Sequence, residues 1–385
     1  MNAAWWIGQE ELDDQQSEVI DLPIGKSYLV WGPPGSGKTN LLLLRANYLY
    51  LAHHPNLQII VFTRALQEFI SSGGAQYDFP SDKLKTSTRF WMDLLFQYGL
   101  TPTLPSDFEE CRKFLIDQIE ALIDTKKLKD VYDTILLDES QDYLPQEIVL
   151  FRRLSKHLFA TADSRQKIYN GADPVDELRA AVAKEITLPY HYRIGRRICK
   201  VADILMKDSS SYTLLEPGSQ YDEQALPSNV EVVPCISVAD QANKIIAALR
   251  VQLKAYPGEL LGVICPTREV LDGVRTEIAA SDFADVCTMQ GASDTLSFSK
   301  KTCVCVCTLH AAKGLEFRTV HLAGAEFLKK FRNQRKMAFT AVTRAKTTLS
   351  VYHCATLPGY LEEALDNVGP SKPLPTIKQV FGKKS

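Results

Sequence analysis

The chain predicts an α/β architecture of two lobes, each a parallel sheet covered by helices. Two patterns carry that expectation. Short apolar runs alternate with longer amphipathic stretches along all 385 residues, the rhythm of strand–helix units. Two segments also echo one another: Ile59-Ile-Val-Phe-Thr-Arg64 and Gly262-Val-Ile-Cys-Pro-Thr-Arg268 each read as a strand ending in Thr-Arg before a helix.

Taken in order, the first lobe offers strands at Ser27–Trp31, Gln58–Thr63, Thr134–Asp138 and Leu158–Ala162. A leucine-rich helix is expected over Asn40–Tyr50. A small helical insertion falls near residues 91–133, its centre running from Asp107 to Asp130. The second lobe offers strands at Glu231–Ile236, Leu261–Pro266, Thr302–Leu309, Thr319–Leu322 and Thr348–Tyr352. The polar run Asp208–Ser211, Pro217-Gly218 and Pro227-Ser-Asn229 read as loops. These signals divide the chain into residues 1–185, 186–370 and a flexible tail, 371–385, that begins with the prolines after Pro370.

Between the first strand and first helix lies Gly32-Pro33-Pro34-Gly35-Ser36-Gly37-Lys38-Thr39, which fits the pattern G-x-x-x-x-G-K-[ST]. Its glycines let the backbone curl so that several N–H groups and a helix N-terminus face a phosphate. Lys38 can then reach the β- and γ-phosphates and the Thr39 hydroxyl can hold Mg²⁺. The expected ligand is a nucleoside triphosphate with Mg²⁺.

Composition excludes several classes. Hydrophobic residues are 45% and charged residues 23%, ordinary for a globular chain. Met1-Asn-Ala-Ala-Trp-Trp has no basic start before an apolar run, and no stretch approaches the roughly 18 apolar residues of a membrane span. Nine scattered cysteines suit a reducing, cytoplasmic setting. Cys303, Cys305 and Cys307 share one face of a strand, a spacing that suits core packing rather than a metal. The net charge of −2 means that any nucleic-acid contact must come from a local groove. Lys329-Lys-Phe-Arg-Asn-Gln-Arg-Lys336 is the densest basic run. On charge alone it reads equally as a solvated helix face or a phosphate track.

Ile135-Leu-Leu-Asp138-Glu139 is an apolar strand ending in two carboxylates. Beside a phosphate loop the first suits Mg²⁺, and the second suits orienting or deprotonating the attacking water.

At this point the chain resembles the UvrD/Rep group of superfamily-1 helicases. Asp138-Glu-Ser-Gln-Asp142 is similar to motif II of that group, and other motifs follow in the family's order. Leu12-Asp-Asp-Gln-Gln16 resembles the glutamine motif that reads adenine. Phe62-Thr63-Arg64 resembles motif Ia, and Thr86-Ser-Thr88-Arg-Phe90 the next strand-contacting motif. Asp163-Ser-Arg-Gln166-Lys-Ile-Tyr169 resembles motif III, whose glutamine senses the γ-phosphate. Tyr190-His-Tyr192-Arg193 resembles motif IV, whose tyrosine stacks on the base while its arginine meets the γ-phosphate. Thr308-Leu-His310-Ala-Ala-Lys313-Gly314-Leu-Glu316-Phe resembles motif V. Phe339-Thr-Ala-Val-Thr343-Arg344-Ala345 resembles motif VI with its arginine finger.

The resemblance implies two tandem RecA-like P-loop NTPase domains and ATP hydrolysis between them. Lys38, Asp138, Glu139, Gln166, Arg193 and Arg344 would be catalytic. Thr308 and His310 would join Phe62, Thr63, Arg64, Thr88 and Phe90 against single-stranded DNA or RNA. It further implies 3′-to-5′ travel.

The chain departs from the family twice. Neither Thr88–Asp138 nor Arg193–Thr308 leaves room for an accessory domain of about 50 residues once the core units are counted. After motif III, Ile168-Tyr-Asn-Gly171-Ala-Asp173 is shorter than the family's I-Y-R-W-R-G-A-D and lacks the stacking tryptophan. Two functions are therefore expected in competition. One is a motor on single-stranded nucleic acid; the other is a nucleotide-gated regulatory ATPase that docks a protein partner such as a nuclease.

Overall fold

A computed structural model of the chain describes residues 11–73, 77–169, 171–209, 212–291 and 295–368. The N-terminal hexapeptide, Ser210 and Ser211 of the polar run, and the tail from Pro370 lie outside the described residues.

The fold is α/β, with two parallel sheets flanked by helices. The first contains β1 (Tyr28–Trp31), β2 (Leu57–Val61), β3 (Leu84–Thr86), β4 (Tyr132–Leu137), β5 (Ser155–Ala162) and β6 (Lys184–Thr187), in the order β3-β2-β4-β5-β1-β6. The second contains β7 (Asn229–Pro234), β8 (Leu261–Cys265), β9 (Cys287–Met289), β10 (Val304–Thr308), β11 (Phe317–Leu322) and β12 (Ala345–His353), in the order β7-β12-β11-β8-β10-β9. Every pairing is parallel. Central strands such as β2 and β8 are buried at every residue, which is why they read as unbroken apolar runs. All nine expected strands are present with shifted ends. The three additions, β3, β6 and β9, are short edge strands, and β6 is the polar tetrapeptide Lys-Glu-Ile-Thr.

The expected insertion is a 19-residue helix, Phe108–Lys126, capped by Asp107. Its residues Leu115, Ile119 and Ile123 pack with Phe90, Trp91 and Phe151 over one face of the first sheet. A continuous apolar cluster runs from the other face of that sheet, through Val30 and Ile59, to Cys305, Cys307 and Leu322 of the second. Cys305 and Cys307 are thus core residues, whereas Cys303 is half-buried. Among the described residues no helix is long and apolar enough to cross a membrane.

Candidate nucleotide site and strand groove

The phosphate loop joins β1 to the helix Lys38–Leu51. Gly37 caps that helix at φ +85°, a left-handed conformation in which a side chain would also crowd the Gln16 amide. Lys38 folds back so that its ammonium donates to the Gly32 and Pro33 carbonyls, each at 2.9 Å. Burial lowers its pKa, while Asp163, Glu139 and Asp138 act in the opposite sense. Gln16 donates to the Ser36 carbonyl at 3.0 Å, and Asp13 and Gln16 close a capping box on their own short helix. Tyr192 lies alongside: its hydroxyl donates to Asp13 and its N–H donates to the Gly35 carbonyl.

Asp138 ends β4 directly beneath the loop. It accepts from the Thr39 hydroxyl at 2.8 Å and from Thr161 at 2.6 Å. Burial, then the neighbouring Glu139, pushes its carboxyl up to about 6. A desolvated carboxylate touching a hydroxyl beside a phosphate cradle is a donor set suited to Mg²⁺. Among the described residues no group of three or more His, Cys, Asp or Glu could hold a metal, so Thr39 and Asp138 would share the ion with phosphate oxygens. Glu139 occupies a left-handed backbone position at φ +50°, rare for a non-glycine residue and held here by the turn Ser140–Asp142.

Residues beside the second sheet close the pocket. Arg344 donates to the Gln166 side-chain carbonyl at 2.6 Å and to the Thr340 and Leu315 carbonyls. Arg193 pairs with Glu316 at 2.6 Å. Burial alone would raise the Glu316 carboxyl, but Arg193, Lys346 and Arg344 hold it at about 2. Lys346, which no motif singles out, is buried 3.8 Å from Glu316, and burial brings it down to about 8. Pro34, Gly35, Lys38, Thr39, Glu139 and Gln166 thus face Arg193, Gly314, Glu316 and Arg344 across one cleft of only about 30 Å³.

A second, wider groove of about 670 Å³ crosses the same boundary. Phe62, Thr63, Arg64 and Thr88 line it from the side of the first sheet, and Thr308 and His310 from the side of the second. Phe90 does not: it is 1% exposed, packed among Trp91, Tyr132 and Phe151, and offers no ring face to a base. Its place after the helix start at Ser87 turns it toward the core while Thr88 faces out. Three further side chains, to which the motifs give no strand-contacting role, join the wall. Tyr169 lies 4.6 Å from the Phe62 ring and 5.7 Å from His310, whereas Arg268 and Gln290 extend the wall on the second lobe. Arg268 was legible as the second Thr-Arg echo.

Lys313 joins cleft to groove. Its side chain is fully buried, pairs with Asp142 and donates to the Gln166 backbone carbonyl at 2.6 Å. The Thr63 hydroxyl donates to the Lys313 carbonyl at 3.2 Å. Next to it Gly314, at φ +82°, packs where a Cβ would meet Leu66 at 2.8 Å. Lys313 thus touches Gln166 through its side chain and Thr63 through its backbone.

Residues 303–352, which cover β10, β11, the helix Gln334–Val342, Arg344 and most of β12, match the UvrD-like helicase C-terminal domain. No curated protein matches the chain. Among solved structures the chain is similar to the C-terminal domain of a possible DNA helicase from Lactobacillus plantarum WCFS1, at 16% identity and a TM-score of 0.33, covering 46% of this chain and 96% of that one. It is also similar to the PRRSV helicase, at 16% identity and a TM-score of 0.42, covering 93% of this chain and spanning 58% of that one.

Proposed function

We propose that the chain is an ATP-dependent motor on single-stranded nucleic acid, DNA before RNA, acting as a translocase or helicase. The observation that carries this reading is that both lobes build both sites: the nucleotide cleft and the aromatic groove lie on one boundary, bridged by Lys313.

Lys38 would hold the β/γ-phosphates, and Thr39 with Asp138 would hold Mg²⁺, which supplies charge neutralisation on the phosphates. Glu139 would orient or deprotonate the attacking water. Gln166, Arg193 and Arg344 would bind the γ-phosphate and stabilise charge during transfer. Gln16 and Tyr192 would read the base, and Glu316, now paired with Arg193, would give way to phosphate. The cleft is narrow, about 30 Å³, so a bound triphosphate would widen it and would draw the Lys38 ammonium away from the Gly32 and Pro33 carbonyls. Binding and loss of the γ-phosphate would then alternate two lobe spacings, and a strand in the groove would be gripped in turn by each lobe.

Single-stranded oligonucleotide should stimulate ATP hydrolysis. Absence of both binding and stimulation would sink the motor and leave the partner-docking ATPase, whose hydrolysis would respond to a co-purifying protein instead. Translocation and duplex-unwinding assays on the same preparation separate a bare translocase from a helicase.

A further inference from the structure

The basic run Lys329 to Lys336 leads from a tight turn into the helix Gln334–Val342, and its Phe331 ring stands beside His310 of the groove wall. The aromatic row that starts at Phe62 and Tyr169 extends through His310 to Phe331, whose ring is 5.8 Å from that of His310. Phe331 sits in the middle of the run. Around it Lys329, Lys330 and Arg332 are exposed, and Lys330 rides 4.4 Å from the Phe327 ring. Arg335 is differently employed: it pairs with Asp208 and donates to the Leu205 carbonyl. Lys336 adds its field near Lys167, at the foot of the Tyr169 loop, where burial first and then Lys336 and Arg112 lower the Lys167 ammonium against Asp173 and Asp142. The run holds no carboxylate.

We infer that Lys329, Lys330 and Arg332 form a phosphate track that receives the single strand as it leaves the aromatic groove past His310 and Phe331. A solvated helix face would not need to continue a row of rings. Aromatic platforms followed by unpaired-acid-free cations are the two components of a sequence-tolerant strand site. This inference rests on the strand-motor reading and adds a second, purely electrostatic segment to its binding site.

The test is the salt dependence of strand affinity for the full chain. Single-strand binding loses about 0.7 in slope of log K against log[salt] per phosphate contact. The triple variant Lys329→Gln, Lys330→Gln, Arg332→Gln should therefore flatten the slope by about 2, and weaken a long oligonucleotide of about 20 nucleotides roughly 10- to 100-fold at about 0.1 M salt. An oligonucleotide of about 6 nucleotides, confined to the groove, should lose only about twofold or less. The charge-preserving triple Lys329→Arg, Lys330→Arg, Arg332→Lys should keep the wild-type slope. As a control for net charge, Lys126→Gln, Lys127→Gln, Lys129→Gln removes the same charge from exposed positions ahead of β4 that line neither the groove nor the ring row. It should leave the slope unchanged. An unchanged slope in the first triple, or equal flattening in both, overturns the track while the motor stands. A wild-type chain that binds no strand removes the motor reading, and the track with it.

Discussion

Lys313→Met tests the bridge between the two lobes. Lys313 and Asp142 are each 0% exposed at their side chains, and Asp142 Oδ1 has no hydrogen-bond partner among the described residues. Removing the ammonium leaves a carboxyl that burial already raises to about 6 even with Lys313 opposing. Breaking one side of a buried ion pair costs about 3–5 kcal/mol. Protonation of Asp142 at neutral pH limits the penalty, which places the expected loss near about 3 kcal/mol. Asp142→Leu should cost at least as much, because it strands an ammonium. The double variant, apolar on both sides, should recover about 2 kcal/mol or more relative to the sum, since well-packed apolar replacements of such pairs are often neutral. Urea unfolding of the four proteins at pH 7 measures the cycle, and strand-stimulated hydrolysis measures its consequence. Stimulation should fall further than the unstimulated rate, because the lost contacts run to Gln166 and, through the Lys313 backbone, to Thr63. Additive costs, or a single-variant loss below about 1 kcal/mol, would refute the bridge.

Glu139→Gln should reduce turnover by a factor of ten or more while ATP still binds, whereas Lys38→Ala should lose both; nucleotide titration beside steady-state hydrolysis distinguishes them. Gly314→Ala should weaken strand stimulation, since the new Cβ enters a left-handed backbone position 2.8 Å from Leu66 of the other lobe. Adding Leu66→Ala should relieve the clash but not the backbone cost, and complete rescue would show that φ is irrelevant. Tyr169→Ala should cost about 1–3 kcal/mol of strand affinity with nucleotide affinity intact, read by oligonucleotide titration. Burial holds His321 at about 3, between Tyr352 and Gln252. Its folded pKa lies below the ordinary 6.5, so an unfolded chain takes the proton first. Its contribution to stability is complete above about 6.5 and is lost as pH falls toward 3. His321→Gln should flatten the acid limb of stability measured by urea midpoint between those values, and an unchanged limb would count against the assignment.

Local chemistry was enough to read the central strands and the phosphate loop. Each needs only neighbours in the chain: an apolar run buried on both faces, or glycines at fixed offsets before a helix. Edge strands escaped for the same reason, because β6 has exposed polar side chains and becomes a strand only through pairing with β1. Phe90 shows the limit on the site. Its position within a strand-contact motif is visible in the chain, but the rotation of the helix Ser87–Gln97 decides that Thr88 faces the groove and Phe90 the core. Tyr169 shows the converse, since a groove lacking the family's tryptophan still has a ring beside Phe62.

The sequence by itself determined the repeated strand–helix alternation, the phosphate-loop pattern and the carboxylates that follow β4, each through spacing along one segment, whereas the two arginines came only from the resemblance of their motifs. Only the tertiary structure decided which of these face one another. Arg344 meets Gln166, Lys313 meets Asp142, and His310 joins Tyr169 and Phe331, over separations of 178, 171 and, for the first ring pair, more than a hundred residues. Such meetings depend on how two separately formed sheets pack. That packing is set by apolar burial across the boundary and leaves no periodic trace in either segment.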